Sequence, residues 1–204
     1  MKNELWFIHG ANASPGSFTY IKEKLREDEA FFDTTFVDVN YDCSEKLAGI
    51  VKEIANDCSK DIPISFIGHS LGGVIATAVT QRIRLYELPV DVKKVVTLAS
   101  PLGGSESADY LKWLYPSYTL FKNISTKNKL ITDLKLVGAV VPTLSLVTTS
   151  GNNPLYPTAN DGVVTVNSQR ALRGVDYIEV PHNHFEVLLS KNVVDHMRLF
   201  LASE

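Results

Sequence analysis

The sequence predicts an α/β protein: a mostly parallel, twisted sheet of about six strands with helices on both faces. Three observations carry this expectation. Short continuous apolar runs alternate with stretches of helical periodicity along the whole chain. Runs of that kind suit strands buried on both faces of a parallel sheet. Residues able to do chemistry fall just after such runs, at the carboxyl ends of strands, where open parallel sheets place their ligand sites.

Leu5-Trp6-Phe7-Ile8 is the first such run. Ser17 to Ala30 then reads as an amphipathic helix, with Ile21 and Leu25 four apart and charges between them. Thr35 to Val39 is a second strand. Ser44 to Lys60 is a second helix, with Leu47, Ile50, Val51 and Ile54 at helical spacing and Ser44 as a plausible cap. A third strand, Ile62 to Ile67, leads into Gly68-His69-Ser70, and a helix from Leu71 to Tyr86 follows. Val92 to Ala99, Leu144 to Thr148 and Tyr177 to Val180 complete the strands, and Phe185 to Leu201 reads as a closing helix. Right-handed crossovers between such strands give a parallel sheet covered on both sides.

The chain of 204 residues is long enough to bury roughly 70% of the surface its unfolded form exposes. It is expected to form one domain over 1–204, with 105–143 as a possible small cap or pocket-lining segment. Hydrophobic residues at 45%, charged residues at 21% and a net charge of −3 carry no signature of disorder and no electrostatic footprint for nucleic acid. Cys43 and Cys58 are too few for a disulfide framework and lack metal-ligand spacing, so both are expected as free thiols. The N-terminus runs directly into an apolar strand without a secretory leader, and no segment is long enough to span a membrane. A cytoplasmic location is the expectation, with no metal or other cofactor.

Gly68-His69-Ser70-Leu71-Gly72 carries the functional signal. The bare Gly-x-Ser-x-Gly pattern occurs by chance in about one chain in fifteen of this length, so context decides its weight. Here it joins the strand Ile64 to Ile67 to the helix-forming Val74 to Ala78. A nucleophile elbow needs that strand-turn-helix setting: the serine is held in a strained backbone conformation, exposed at a helix N-terminus that favours developing negative charge. The alternative is a glycine-rich turn whose serine is idle.

With these residues the chain resembles the α/β-hydrolase family, and within it the small bacterial lipases and esterases that lack a large cap. The resemblance covers nearly the whole chain. It rests on His9-Gly10, Gly68 to Gly73, Ala99-Ser100-Pro101-Leu102-Gly103-Gly104, Asn160 to Val164, and His184 before the last helix. It implies a minimal α/β-hydrolase fold and a serine nucleophile, Ser70, with an acid and a histidine following in that chain order. Asp161 is the preferred acid, after the strand Leu144 to Thr148 and beside a turn-permitting Gly162; Asp176 starts a strand at the wrong end of the sheet, and Asp195 lies inside the last helix. The base is His184 or His182. Family members with a similar tail favour His184, which is followed by two residues, an apolar group and a helical serine, Ser190. His196 reads as structural, and His9 as a loop-shaping residue near the site.

The family places one oxyanion donor on the backbone N–H after the nucleophile, Leu71, and another in the loop after the first strand, Ala11 or Asn12, with Ala11 preferred. A metal site of His182, His184 and Asp161 is conceivable, but it leaves the serine elbow unexplained. Between Ser105 and Thr143 the chain is rich in aromatic and apolar residues: Tyr110, Leu111, Trp113, Leu114, Tyr115, Tyr118, Leu120 and Phe121. They read either as the wall of an acyl pocket or as a short helix packed on the sheet and broken by Pro116. Trp113 and Tyr115, with Leu102 upstream, are the candidate substrate contacts.

The function that follows is hydrolysis of a carboxylic ester or lipid through an acyl-enzyme on Ser70. A thioesterase or acyltransferase using the same triad is the alternative, and a non-catalytic ligand-binding homologue is the alternative from another class.

Overall fold

A computed structural model describes residues 3–115, 117–154, 156 and 158–203. Among them, six strands form one fully parallel sheet in the order β2-β1-β3-β4-β5-β6. In chain order the elements are β1 (Asn3–Ile8), α1 (Thr19–Arg26), β2 (Thr34–Val39), α2 (Leu47–Asp57), β3 (Ile64–His69) and α3 (Leu71–Leu85). There follow β4 (Val92–Leu98), α4 (Glu106–Leu114), α5 (Thr119–Asn123), α6 (Lys129–Val137), β5 (Thr143–Thr148), α7 (Val166–Gln169), β6 (Asp176–Val180) and α8 (Lys191–Ala202). The fold class is the one the apolar runs predict.

Strand side chains alternate between faces, and the two faces make two cores. Trp6, Ile8, Ile64 and Phe66 point to the side covered by α2, α3 and α6, where they meet Ile50, Val74, Ile75 and Ile131. Leu5, Phe7, Ile67 and Leu98 point the other way, onto Phe18, Ile21 and Leu25 from the α1 region and Val193 and Met197 from α8. Each fully buried Leu, Ile or Phe contributes roughly 1.5–3 kcal/mol, which is why continuous apolar strands select this two-sided arrangement. The strand order reverses between β1 and β3, so the crevice for a ligand lies beyond their carboxyl ends.

Several element limits differ from the sequence expectation, each for a physical reason. The helix expected over Ser17 to Ala30 is confined to α1, between 3-10 turns at Pro15–Phe18 and Glu29–Phe31. Glu27, Asp28 and Glu29 would set carboxylates against the negative end of a longer helix; Asp28 instead accepts a bond from Ala30 N at 3.0 Å and caps the next turn. Ser44 does not cap α2. Its hydroxyl turns back to Asp42, and the Leu47 N–H is met by Asn123 Oδ1 at 3.0 Å, from α5. β3 starts only at Ile64, because Pro63 has no N–H to give a ladder.

The closing helix expected over Phe185 to Leu201 is split into a 3-10 turn, Glu186–Leu189, and α8, with Ser190 accepting from Val193 N between them. Residues 105–143 hold three short helices, α4, α5 and α6, rather than one. Pro116, expected to break a helix there, lies outside the described residues. Cys43 and Cys58 are free thiols. No described helix is long and apolar enough to cross a membrane.

Candidate active site

The elbow follows directly from β3. Ser70 has φ 53° and ψ −123°, a region non-glycine residues rarely adopt. The surroundings enforce it: Ser70 N donates to Leu98 O at the end of β4, 2.8 Å, and Gly73 N donates to Ser70 O at 3.1 Å. The two flanking glycines are required by close approach. A Cβ on Gly68 would stand 2.4 Å from the Gly72 carbonyl, and one on Gly72 would stand 2.0 Å from Ile8 O. Ser70 is thereby held at the N-terminus of the fifteen-residue α3, whose free N–H groups favour negative charge.

The candidate acid and base, Asp161 and His184, follow β5 and β6. His184, four residues past β6, places Nε2 3.0 Å from Ser70 Oγ. Its Nδ1 lies 2.8 Å from Asp161 Oδ2. A carboxylate accepts, so Nδ1 carries the proton, and Nε2 is left to accept the Ser70 hydroxyl. Both side chains are shielded: His184 is 3% and Asp161 1% exposed. The loop after β5 wraps around Asp161, whose Oδ1 accepts Val163 N at 2.9 Å and Val164 N at 2.7 Å. Its Oδ2 also accepts Thr148 Oγ1 at 2.5 Å. Burial pushes the Asp161 carboxyl up, but the bonds from His184, Thr148 and Val164 outweigh it and hold the group below the ordinary range.

That loop closes with little space. A Cβ on Gly151 would stand 1.9 Å from Gly162 N and 2.0 Å from the Asp161 carbonyl carbon. Gly151→Ala is therefore expected to destabilise the protein by roughly 3 kcal/mol or more. A urea melt against the native chain checks this, and an unchanged midpoint would contradict it.

The other residues singled out from the sequence fall as follows. Ala11, Asn12 and Leu71 all border the cleft above Ser70. His182 stands apart from the cleft lining and contributes backbone, accepting Ser150 N at 3.1 Å. Asp176 opens β6 at the opposite end of the sheet, and Asp195 pairs with Lys191 on α8. The metal arrangement is not assembled: both His184 nitrogens are engaged, and the described residues hold no cluster of three metal-ligating side chains.

The three candidate substrate contacts do not reach the cleft. Leu102 is fully buried in the core beside α3. Trp113 and Tyr115 are 80% and 57% exposed, because α4 packs through Ala108 and turns its aromatic face outward. The cleft, about 280 Å³, is walled instead by Leu120, Ile124, Val163, Phe185 and Leu188. Aromatic content in a segment says nothing of direction. The position of Phe185 and Leu188 just after His184 was the available signal.

His69 was not singled out, yet it joins two parts of the site. Its Nε2 donates to His184 O at 2.8 Å, and the two rings lie 4.9 Å apart. Burial, then the neighbouring His184 ring, lowers its pKa from the ordinary 6.5 to about 4. Between those values the unfolded chain binds a proton that the folded chain refuses. The stability contribution is complete above pH 6.5 and falls as the pH drops toward 4, by up to about 1.4 kcal/mol per pH unit. Urea melts at pH 7.5 and pH 5 are expected to differ accordingly, and His69→Phe to shrink the difference; an equal difference in both proteins would assign it elsewhere.

Comparison with known proteins agrees with this fold. The family described as "Putative serine esterase (DUF676)" matches residues 5–130, which include β1, the elbow and α3. A search of curated proteins finds no match. Among solved structures, the metagenomic carboxyl esterase MGS0156 superposes with a TM-score of 0.67 at 15% identity, covering 98% of this chain and 75% of that one. One structure from a study of the metagenome-derived lipolytic enzymes LipS and LipT gives 0.67 at 12% identity, with 98% and 93% covered. The RedJ thioesterase of Streptomyces coelicolor gives 0.59 at 15%, with 98% and 84% covered. At such identities the structures share the fold. The family match spans more than half of the chain, and the chain belongs to that serine esterase family, on the α/β-hydrolase fold.

Proposed function

We propose that the protein hydrolyses carboxylic esters through an acyl-enzyme on Ser70, with His184 as base and Asp161 as the residue that orients it. The observation that carries this reading is the unbroken chain Ser70 Oγ, His184 Nε2, His184 Nδ1, Asp161 Oδ2, at 3.0 and 2.8 Å. Ser70 Oγ bonds to the ester carbonyl carbon as its proton passes to Nε2. The carbonyl oxygen gains the negative charge, and the Ala11 and Leu71 N–H groups stabilise it. Collapse breaks the bond to the alcohol oxygen, which takes the proton from Nε2. A water molecule, deprotonated by His184, then attacks the acyl carbon and frees Ser70.

The apolar walls supplied by Leu120, Ile124, Val163 and Phe185 suit an acyl chain. A volume near 280 Å³ sits at the small end of ligand sites and favours short acyl groups. Labelling with a fluorophosphonate, followed by p-nitrophenyl esters of rising chain length beside acyl-CoA thioesters, tests the reading. Labelling and turnover that falls beyond medium chains are expected. An unlabelled protein would sink the hydrolase reading, and preference for acyl-CoA would move the chemistry to thioesters.

A further inference from the structure

Beside the Ser70 cleft lies a second, larger cavity of about 560 Å³, beyond the carboxyl ends of β1 and β2. The two spaces share Asn12, Ala13 and Leu120. Asn12 Nδ2 donates to Tyr118 Oη at 2.8 Å where they meet. The chamber is the more polar of the two: it presents His9, Asn40, Tyr41 and Asp42, where the cleft is mostly apolar.

His9 is built into this chamber. It is 3% exposed, its ring stacks on Tyr41 at 4.6 Å and 12°, and Tyr41 Oη donates to its carbonyl at 2.8 Å. Its Nδ1 lies 2.8 Å from Gly10 O. A carbonyl only accepts, so Nδ1 carries the proton, and in the neutral ring Nε2 is an acceptor. No described protein group meets Nε2. Nε2 is not among the buried polar atoms left without a partner, so it stays open to solvent and to any donor that enters the chamber. Asp42 is the one carboxylate among the lining residues, and no Lys or Arg is among them. The chamber therefore offers the open His9 nitrogen and the negative charge of Asp42, whose two oxygens also accept Ser44 N and Oγ, with no cation among its lining residues.

We propose that this chamber is a second subsite of the Ser70 cleft, taking a hydroxyl- or ammonium-bearing end of the substrate and rejecting an anionic one. It rests on the ester-hydrolase reading and narrows it: the preferred substrate is apolar near the scissile bond and donor-rich beyond Asn12. The donor could sit on the acyl or the alcohol portion, so the test has two arms. In the acyl arm, p-nitrophenyl 6-aminohexanoate is compared with the heptanoate of equal length and with the mono-adipate. In the alcohol arm, 2,3-dihydroxypropyl butyrate is compared with 2-methylbutyl butyrate.

In at least one arm the donor-bearing ester is expected to exceed its apolar match in kcat/KM by about tenfold, and the adipate to fall below the heptanoate. Asp42→Asn should reduce the preference for ammonium, and His9→Phe, which keeps a ring against Tyr41, the preference for hydroxyl. Turnover of every ester without preference would overturn the subsite and leave the hydrolase reading standing. A chain that turns over no ester can still be tested by titrating hexylammonium, and hexanoate as the control, into 15N-labelled protein. Shifts at the Ala13, Asn40 and Tyr118 amides with hexylammonium alone support the subsite; none, or equal shifts with both, overturn it.

Discussion

Replacing Ser70 with alanine is expected to lower kcat on p-nitrophenyl butyrate by about 10⁴- to 10⁶-fold and to abolish fluorophosphonate labelling. The fold should tolerate the change. Among the described residues the Ser70 side chain bonds only to His184 Nε2, and the strained backbone is held by Leu98 and by the flanking glycines rather than by the hydroxyl. Alanine also enters a site where Gly10 leaves the Cβ its room. A thermal melt within a few degrees of the native chain, beside lost turnover, is the expected pair of results. His184→Ala should fall nearly as far, and the double variant hardly further, because residues acting as one unit are not additive. Labelling retained by Ser70→Ala would place the nucleophile elsewhere.

Asp161→Asn is expected to cost kcat about 10⁴-fold with little change in KM. The reason lies in which oxygen is already committed. Oδ1 receives two backbone N–H groups, Val163 and Val164, so the asparagine oxygen must stay there. Its NH₂ then takes the place of Oδ2 and faces His184 Nδ1. Two donors cannot meet, so the imidazole proton moves to Nε2, toward Ser70, where it blocks proton acceptance. Gln169 Nε2, 3.4 Å from Oδ2, adds a second clash of donors, whereas the Thr148 hydroxyl can turn round. Nitrogen-15 shifts of the His184 ring report the tautomer directly. A native tautomer together with full activity would remove Asp161 from its proposed role.

How much of this was legible in the sequence depends on whether the cause is local. β1 and β3 could be read because a strand buried on both faces must be apolar throughout, as Leu5 to Ile8 and Ile64 to Ile67 are. Ser70 could be located because the close packing at Gly68 and Gly72 leaves a fixed spacing in the chain. Asp161 and His182 or His184 could be put forward because they follow strands at their carboxyl ends, and the family resemblance preferred His184; the Asp161–His184 contact itself spans 23 residues. What could not be read depends on partners distant in sequence or on direction. Asn123 caps a helix 76 residues earlier. His69 meets a carbonyl 115 residues later. Trp113 and Tyr115 have the composition of a pocket wall and face away from the pocket. The split of the closing helix was visible only as Ser190, a good N-cap, standing inside an apolar pattern that otherwise reads as continuous.

The Asn123 contact has a wider consequence. Its amide oxygen serves Leu47 N while its NH₂ donates to Glu45 O at 2.8 Å, so a single side chain stitches the cleft-wall helix α5 to the start of the core helix α2. Leu120, three residues before it, faces the cleft. Loosening the wall costs α2 its cap, and fraying of α2 costs the wall both bonds, each worth roughly 1 kcal/mol. Heat should therefore remove the binding surface and the core in one cooperative transition, with no warm interval in which a folded chain has lost its site.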